Sequence, residues 1–262
     1  MQKSKKELAD IQGQMAYSDI ALDKVGVKDV KYPIVVLDKR NKEQHTVAKI
    51  NMYVDLPHYF RGTHMSRFIE ILNEYRGLIN ISNMGEILSK IKGKLDAQSA
   101  HMEVSFTYFI EKEAPKSKAK SLMAYNCRFL TTQNKDDDFI LEVEVPVTTL
   151  CPCSKEISDQ GAHNQRCLVK VQVRWENELV WIEDLIAMIE QCSSAPVYSL
   201  LKREDEKYVT EHAYKHPLFV EDLARNIASK LKKDTNIRWF RVESESFESI
   251  HNHSAYALVE SK

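Results

Sequence analysis

Thr46-Val-Ala-Lys-Ile-Asn-Met-Tyr-Val-Asp55 alternates apolar and polar side chains, which is the pattern of a half-buried β-strand. The apolar, β-branched run Tyr32-Pro-Ile-Val-Val-Leu37 precedes it, so the two runs predict a hairpin. Helical periodicity follows, and strand composition then returns. The predicted elements after the hairpin are helices at 64–75 and 81–95 and strands at 101–113 and 120–132.

The second half of the chain repeats the order strand, strand, helix, helix, strand, strand. Its predicted elements are strands at 138–149 and 166–175, helices at 181–192 and 217–232, and strands at 237–246 and 254–260. The acidic turn Asn134-Lys-Asp-Asp-Asp138 marks the join. We therefore predict an α+β fold with an N-terminal extension at 1–30, a first ββααββ module at 31–134 and a second at 135–262.

Each predicted module offers a four-stranded antiparallel sheet with free edges. Free strand edges favour pairing with further copies into a closed barrel, so we expect a homo-oligomer.

Composition limits the class of protein and its partners. The chain has 262 residues, of which 43% are hydrophobic and 29% charged, as in a globular protein with a sizeable core. The 37 basic residues balance 38 acidic ones, so we expect no nucleic acid and no anionic membrane as partner. The N-terminal residues include no apolar run typical of a secretory signal or a membrane span, which predicts a cytoplasmic protein.

Five cysteines are an odd number, and a chain of this length does not need disulfides. Cys127, Cys167 and Cys192 lie in apolar stretches, where we predict inert thiols in the core. Cys151 and Cys153 are different because only Pro152 separates them, directly after a predicted strand.

The segment that begins at Cys151 is a candidate metal site. Pro152 restricts the backbone between the two thiols, and His163 follows Cys151 by twelve residues across a loop that contains Gly161. This spacing can bring an imidazole and a thiolate to one metal ion. It is also compatible with a structural zinc site, a redox pair or two unrelated thiols.

Three other polar segments are candidates for the rest of a site, and each has a plainer explanation. Lys202-Arg-Glu-Asp-Glu-Lys207 between two predicted helices is typical of a solvated loop. Phe247-Glu-Ser-Ile-His-Asn-His-Ser254 places His251 and His253 before a strand, where ordinary hydrogen bonding also accounts for them. Glu221 lies in the first turn of a predicted helix, where it either caps the helix or binds a pair of donors such as guanine N1–H and the exocyclic amine.

These segments together resemble one family, the prokaryotic type IB GTP cyclohydrolase I. The resemblance extends through both halves of the chain. The motifs that carry it are Cys151-Pro-Cys-Ser-Lys-Glu-Ile-Ser158, Gly161-Ala-His-Asn-Gln-Arg166, Leu201-Lys-Arg-Glu-Asp-Glu-Lys207, Tyr208-Val-Thr-Glu211, Phe219-Val-Glu-Asp222, Glu248-Ser-Ile-His-Asn-His253 and His64-Met-Ser-Arg-Phe68.

The resemblance implies a tunnelling fold, a barrel assembled from several chains, here a homotetramer. It also implies that GTP loses C8 as formate and becomes 7,8-dihydroneopterin triphosphate, the entry compound for folate and for deazaguanine nucleosides. The implied cofactor is a divalent metal ion, with zinc, manganese and iron all possible.

The resemblance implies a role for individual residues as well. The implied metal ligands are Cys151, His163 and Glu206, with His251 close enough to bind the metal or its water. Cys153 matches the second, catalytic cysteine, and Glu221 matches the glutamate that anchors guanine. Candidate cations for the triphosphate are Arg166, Lys202, Arg203, His64 and Arg67.

Two alternatives remain at this point. One is a related tunnelling-fold enzyme that acts on a deazaguanine, such as a nitrile reductase, whose cysteine attacks the substrate without a metal. The other is a non-enzymatic interaction module with a closed four-coordinate zinc site, which leaves no position for water.

Overall fold

A computed structural model describes residues 11–135 and 137–261. The strands are β1 (Leu22–Asp38), β2 (Lys42–Leu56), β3 (Ala100–Glu113), β4 (Lys120–Gln133), β5 (Asp137–Leu150), β6 (Asn164–Trp175), β7 (Ala195–Pro196), β8 (Ile237–Ser246) and β9 (Ala255–Glu260). The helices are α1 (Met65–Glu74), α2 (Met84–Leu95), α3 (Pro152–Ile157), α4 (Ile182–Gln191), α5 (Arg203–Lys215) and α6 (Val220–Lys233). The predicted α+β class is confirmed.

The chain divides into two compact units. The first consists of the described residues among 1–37, 45–104 and 129–139, and the second of 38–44, 105–128 and the described residues among 140–262. Because β3 and β4 contribute residues to both units, the units do not coincide with the predicted modules. The module boundaries stay a prediction.

The first unit is built on the β1–β2 pair and two helices. Apolar positions two apart on β2, Ile50, Met52 and Val54, are fully buried, as the alternating pattern predicts. Strand β1 begins at Leu22, inside the predicted N-terminal extension. Most of its first ten residues are exposed, so no apolar alternation marks this part of the strand. Gly26 lies so close to β2 that an added Cβ would meet the Met52 carbonyl oxygen at 1.9 Å.

The second unit carries an antiparallel sheet in which β5 pairs with β6 and β7, β6 with β8, and β8 with β9. Buried valines face each other across β5 and β6, with Val143 opposite Val171 and Val145 opposite Val169. Because side chains on a strand alternate between faces, this apolar row fixes the register. Helix α6 packs against β8 and β9 through Leu223, Ile227 and Leu231.

The other face of this sheet is charged. Lys170 lies opposite Glu144 on one side and Glu243 on the other, and its ammonium is 3.7 Å from the Glu144 carboxylate. On the same face, Arg128 and Gln172 both donate to the buried carboxylate of Glu142. Alternation therefore separates an apolar face from an ionic one.

Two predictions about local structure in the second half are wrong. Residues 202–207 are not a solvated loop, since α5 begins at Arg203. Val209 and Ala213 of α5 pack against an apolar cluster, but most of the helix is polar or charged, so it has no strong apolar periodicity to detect. The short helix α3 also interrupts the segment after Cys151, where no element was predicted.

Asp205 holds the start of α5 in place. Its side chain is fully buried and accepts backbone N–H bonds from Lys116, Ser117 and Lys202 at 2.7–2.9 Å. Burial acts to raise the pKa of Asp205, but the hydrogen bonds from Ser117, Lys202 and Lys116 outweigh it and leave the pKa well below the ordinary value. Ionised Asp205 thus ties the β3–β4 turn to the helix that carries Glu206.

Among the described residues, no helix combines the length and the apolar character required to cross a membrane.

Replacing Asp205 with alanine is expected to lower the melting temperature by several degrees, because it leaves three backbone donors without an acceptor. The pKa of Asp205 is depressed in the folded state, so its stabilising contribution is present above pH ~4 and declines as acid protonates it. Thermal melts from pH 3 to 7 measure both effects. Glu204→Ala, an exposed change in the same turn, is the control, and equal melting temperatures for the two variants would contradict the assignment.

Candidate active site

The β5–β6 ladder places Cys151 beside His163. Leu150 and Asn164 form its last register pair, and Cys151 and His163 are the next residues on the two strands. The Cys151 N–H donates to the His163 carbonyl at 3.1 Å, which continues the ladder by one bond. Gly161, with φ of 76°, allows the connecting loop to turn back to His163.

Ser154 fastens the two residues together. Its hydroxyl donates to the Cys151 carbonyl and accepts the His163 N–H, both at 3.2 Å. Cys151 is the N-cap of α3, and its Sγ accepts the Ser154 N–H at 3.5 Å. Hydrogen bonds from the ladder and from Ser154 therefore fix the backbone at both Cys151 and His163.

A cavity of about 300 Å³ opens at this end of the sheet. Its volume is at the lower limit for small-molecule sites, so it suits a planar base better than a whole nucleoside triphosphate. The residues that line it are Thr149, Cys151, His163, Gln165, Leu218, Phe219, Val220, Glu221, Glu248, His251, His253 and Ala255.

The structure thus brings together four of the residues predicted from sequence, Cys151, His163, Glu221 and His251. His251 lies in the turn before β9, and its ring stacks on that of His253 with centroids 5.0 Å apart. The cavity lining therefore includes three imidazoles and one thiol, side chains of the kinds that transfer protons in enzymes.

Glu221 is not the cap of α6. The N-cap residue Phe219 donates its N–H to the Asp222 carboxylate at 3.2 Å, so Asp222 does the capping. The Glu221 side chain is exposed and lines the cavity. This geometry favours the ligand-binding interpretation of Glu221 over the capping one.

The remaining predicted site residues do not line the cavity. Cys153 and Glu206 are exposed on α3 and α5, and Arg203 is the first residue of α5, directly after Lys202. Arg166 is exposed and follows Gln165 on β6, so it points to the opposite face. His64 and Arg67 lie in the first unit, where His64 precedes α1 and Arg67 donates to the Lys94 carbonyl at 2.9 Å.

The donor set agrees only in part with a metal site. Thiolate and imidazole are ligands that zinc, iron and related ions accept, and Cys151 and His163 are adjacent. Within residues 11–135 and 137–261, however, no three His, Cys, Asp or Glu side chains converge closely enough to hold an ion. Glu206, the predicted third ligand, is not among the residues that line the cavity. It lies on the same face of α5 as Val209 and Ala213, which pack with Leu150 and Ala162, the chain neighbours of Cys151 and His163.

Gln165 and Glu248 are cavity residues to which the sequence assigned no role. Gln165 is two residues after His163 on a strand, and residues two apart share a face, so this position could have been found. Glu248 is part of the same polar segment as His251, but nothing in its pattern indicated that its side chain faces the cavity.

The predicted burial of three cysteines is confirmed. Cys127, Cys167 and Cys192 are each at most 6% exposed. Burial raises the pKa of Cys167 to about 12 and raises the pKa of the other two as well. The same three thiols are free, as are Cys151, which is half-buried, and Cys153, which is exposed.

Comparison with known proteins places this chain in a family. Residues 8–257 match the family model described as type I GTP cyclohydrolase FolE2. The chain is 64% identical over 253 residues to the GTP cyclohydrolase FolE2 of Syntrophotalea carbinolica, covering 97% of this chain and 95% of the relative. It is 60% identical to the GTP cyclohydrolase FolE2 of Geotalea uraniireducens, covering 97% and 93%.

Solved structures with this fold include uricases. A uricase from Bacillus fastidious superposes with a TM-score of 0.55 at 8% identity, covering 92% of each chain. A urate oxidase from Bacillus sp. TB-90 gives 0.53 at 9% identity, covering 92% of this chain and all of that one. At these identities the likeness concerns the fold alone.

Thiol-reactive reagents should distinguish the cysteines in the native protein. We expect Ellman's reagent to modify Cys153 first and Cys151 more slowly, and to reach the three buried thiols only after unfolding, because a buried thiol is both inaccessible and protonated. Cys153→Ser should remove the fast phase, whereas Cys192→Ser should leave it unchanged. Rapid modification of Cys127, Cys167 or Cys192 in the folded protein would contradict the structure.

Proposed function

The chain belongs to the FolE2 family of type I GTP cyclohydrolases, and from that premise we propose how its residues open the guanine ring of GTP. The protein is a GTP cyclohydrolase of folate biosynthesis that converts GTP and water into 7,8-dihydroneopterin triphosphate and formate. Membership of this family favours neither alternative, the deazaguanine-specific enzyme or the interaction module with a structural zinc site. Supply of deazaguanine nucleosides is a second use we propose for the product.

One observation carries the assignment of the chemistry to this site. The cavity places Cys151 and His163, held side by side by the β5–β6 ladder, in the same space as Glu221 and His251. Hydrolysis of a purine ring needs a carboxylate that binds the base, a thiol and an imidazole that can hold a metal ion, and a side chain that transfers protons.

Glu221 binds the guanine base in this proposal. Its carboxylate would accept the N1–H and exocyclic amine of guanine, which present two parallel donors. Since Asp222 satisfies the helix end, the Glu221 carboxylate is available to the ligand. The size of the cavity supports binding of the base inside it and of the triphosphate outside.

We propose that Cys151, His163 and Glu206 hold a divalent metal ion, with zinc, manganese or iron as candidates. Such an ion supplies Lewis acidity that makes water nucleophilic near neutral pH. Glu206 supports this proposal by its place on the face of α5 that packs with Leu150 and Ala162, the chain neighbours of Cys151 and His163.

Proton transfers accompany the addition of water to C8 and the breaking of the C8–N9 bond. His251 lines the cavity and is stacked on His253, so it is placed to accept a proton from water and return it to the departing ring nitrogen. Cys153 is two residues from Cys151 at the start of α3. We propose it as the second proton carrier.

The triphosphate needs cations that the described cavity wall does not contain, since the cavity is lined by neither Arg nor Lys. The candidate cations in the second unit are Arg166 on β6, Lys202 directly before α5 and Arg203 at its start, and those in the first unit are His64 and Arg67. We propose that some of these cations act in a neighbouring chain of the oligomer.

Self-association is supported by the sheet edge. Strand β9 ends the strand order of the second unit and exposes Tyr256 and Leu258. Exposed apolar side chains on an edge strand favour pairing with another copy. We propose a homotetramer in which tandem ββααββ modules close a tunnelling-fold barrel, with the ionic face of the sheet towards the lumen. A cytoplasmic location and the absence of nucleic-acid and membrane partners remain predictions.

Cys151→Ala and His163→Ala are each expected to abolish GTP conversion while leaving the melting temperature within a few degrees. The assay measures the fluorescence of the oxidised pterin and the release of formate, with zinc, manganese or ferrous iron added to metal-free enzyme. Cys192→Ala and His45→Ala are controls outside the site and should retain activity. Full activity in both site variants would overturn the assignment of the site.

Glu221→Gln is expected to lower kcat/KM for GTP by about 10- to 100-fold, mainly through KM, because a hydrogen bond to a charged group contributes about 1.5–3 kcal/mol. Glu211→Gln on exposed α5 is the matched control, since its surface ion pair with Lys207 contributes little. Steady-state kinetics give kcat and KM for GTP in the two variants. Unchanged KM in Glu221→Gln would exclude the carboxylate as the base anchor.

A further inference from the structure

The amide of Gln165 lies between two charged or titratable groups of the cavity. Its Oε1 is 2.9 Å from Nδ1 of His163, and its Nε2 donates to the Glu248 carboxylate at 3.3 Å. The Gln165 side chain is buried, with 8% of the residue exposed. Glu248 itself stays 3.9 Å from His163 Nδ1, beyond hydrogen-bond reach.

The orientation of this amide is determined by its other partners. Nε2 donates a second hydrogen bond to the Thr149 hydroxyl at 3.3 Å. The Thr149 hydroxyl also shares a hydrogen bond with the Ser246 hydroxyl. A flipped amide would place Oε1 against the Glu248 carboxylate, where two acceptors repel. The amide oxygen therefore faces His163.

An amide oxygen only accepts hydrogen bonds, so the His163 nitrogen that faces it must carry the proton. The neutral imidazole then has its hydrogen on Nδ1 and its lone pair on Nε2. In free histidine the other tautomer predominates, so the protein selects the less common form.

We propose that Gln165 is the positioning residue that fixes the tautomer of His163 and presents its Nε2 lone pair to the metal. This inference rests on the proposed role of His163 as a ligand. Outer partners of ligating histidines commonly set the ring orientation in this way. Gln165 does so without adding charge, and it donates to one oxygen of Glu248, whose other oxygen lies 3.9 Å from His163 Nδ1.

Gln165→Met removes the acceptor at nearly constant volume. Histidine-selective ¹⁵N NMR of the metal-free protein at about pH 9, where imidazole is neutral, reports which nitrogen is protonated. We expect His163, assigned with His163→Asn, to hold the proton on Nδ1 in the wild type and to lose this preference in Gln165→Met. We also expect zinc affinity, measured by competition with a chelating dye, to fall about 10- to 100-fold.

Gln172→Met is the matched control, because Gln172 is on the same strand and donates to Glu142 on the opposite face. It should leave the tautomer and the zinc affinity unchanged. A swap provides the rescue. Gln165→Glu combined with Glu248→Gln restores an acceptor towards His163 and a donor from position 248, and should recover the Nδ1–H form and most of the affinity.

The Nδ1–H tautomer persisting in Gln165→Met, or an unchanged zinc affinity, would overturn the proposal. A swap that fails to recover the tautomer would do the same. None of these measurements uses GTP. Failure of the wild-type enzyme to release formate would count against the proposed function and would leave the tautomer result standing.

Discussion

The antiparallel register between β5 and β6 is the constraint on which the site depends. The pair Leu150 and Asn164 ends the ladder. Cys151, directly after Leu150, carries the thiol, and His163, directly before Asn164, carries the imidazole. Buried valine pairs hold this register. A slip by one residue would turn those valines to the ionic face and would replace Gln165 by Asn164 or Arg166 on the cavity side.

Much of the fold could be predicted because most elements bury a periodic apolar face. The long strands and α1, α2, α4 and α6 occur within a few residues of their predicted positions, except that β1 extends further towards the N-terminus. The sequence did not reveal α5, because charged residues fill its first turn and most of the helix is polar. Its capping by Asp205 depends on the β3–β4 turn, a contact that no local pattern in the sequence shows.

The candidate site was predictable where its residues are close in sequence or belong to a recognisable motif. Cys151, His163, Glu221 and His251 meet in one cavity. Belonging to a motif was not enough to place Arg166 in the cavity. Adjacent residues on a strand point to opposite faces, and Gln165 is the one that faces the cavity. The roles of Asp222 and Gln165 could be assigned only from their hydrogen-bond partners in the structure. Those partners depend on the direction of each side chain, which the linear sequence does not determine.

The hairpin of β5 and β6 also bears on the order in which the site assembles during folding. Cys151 and His163 are twelve residues apart, so the entropic cost of closing their loop is small. Glu221 and Glu248 come from distant parts of the chain and require non-local contacts, which form more slowly. A nascent chain that has paired only these two strands already holds the thiol next to the imidazole, and the part of the cavity wall that carries Glu221 and Glu248 is added afterwards.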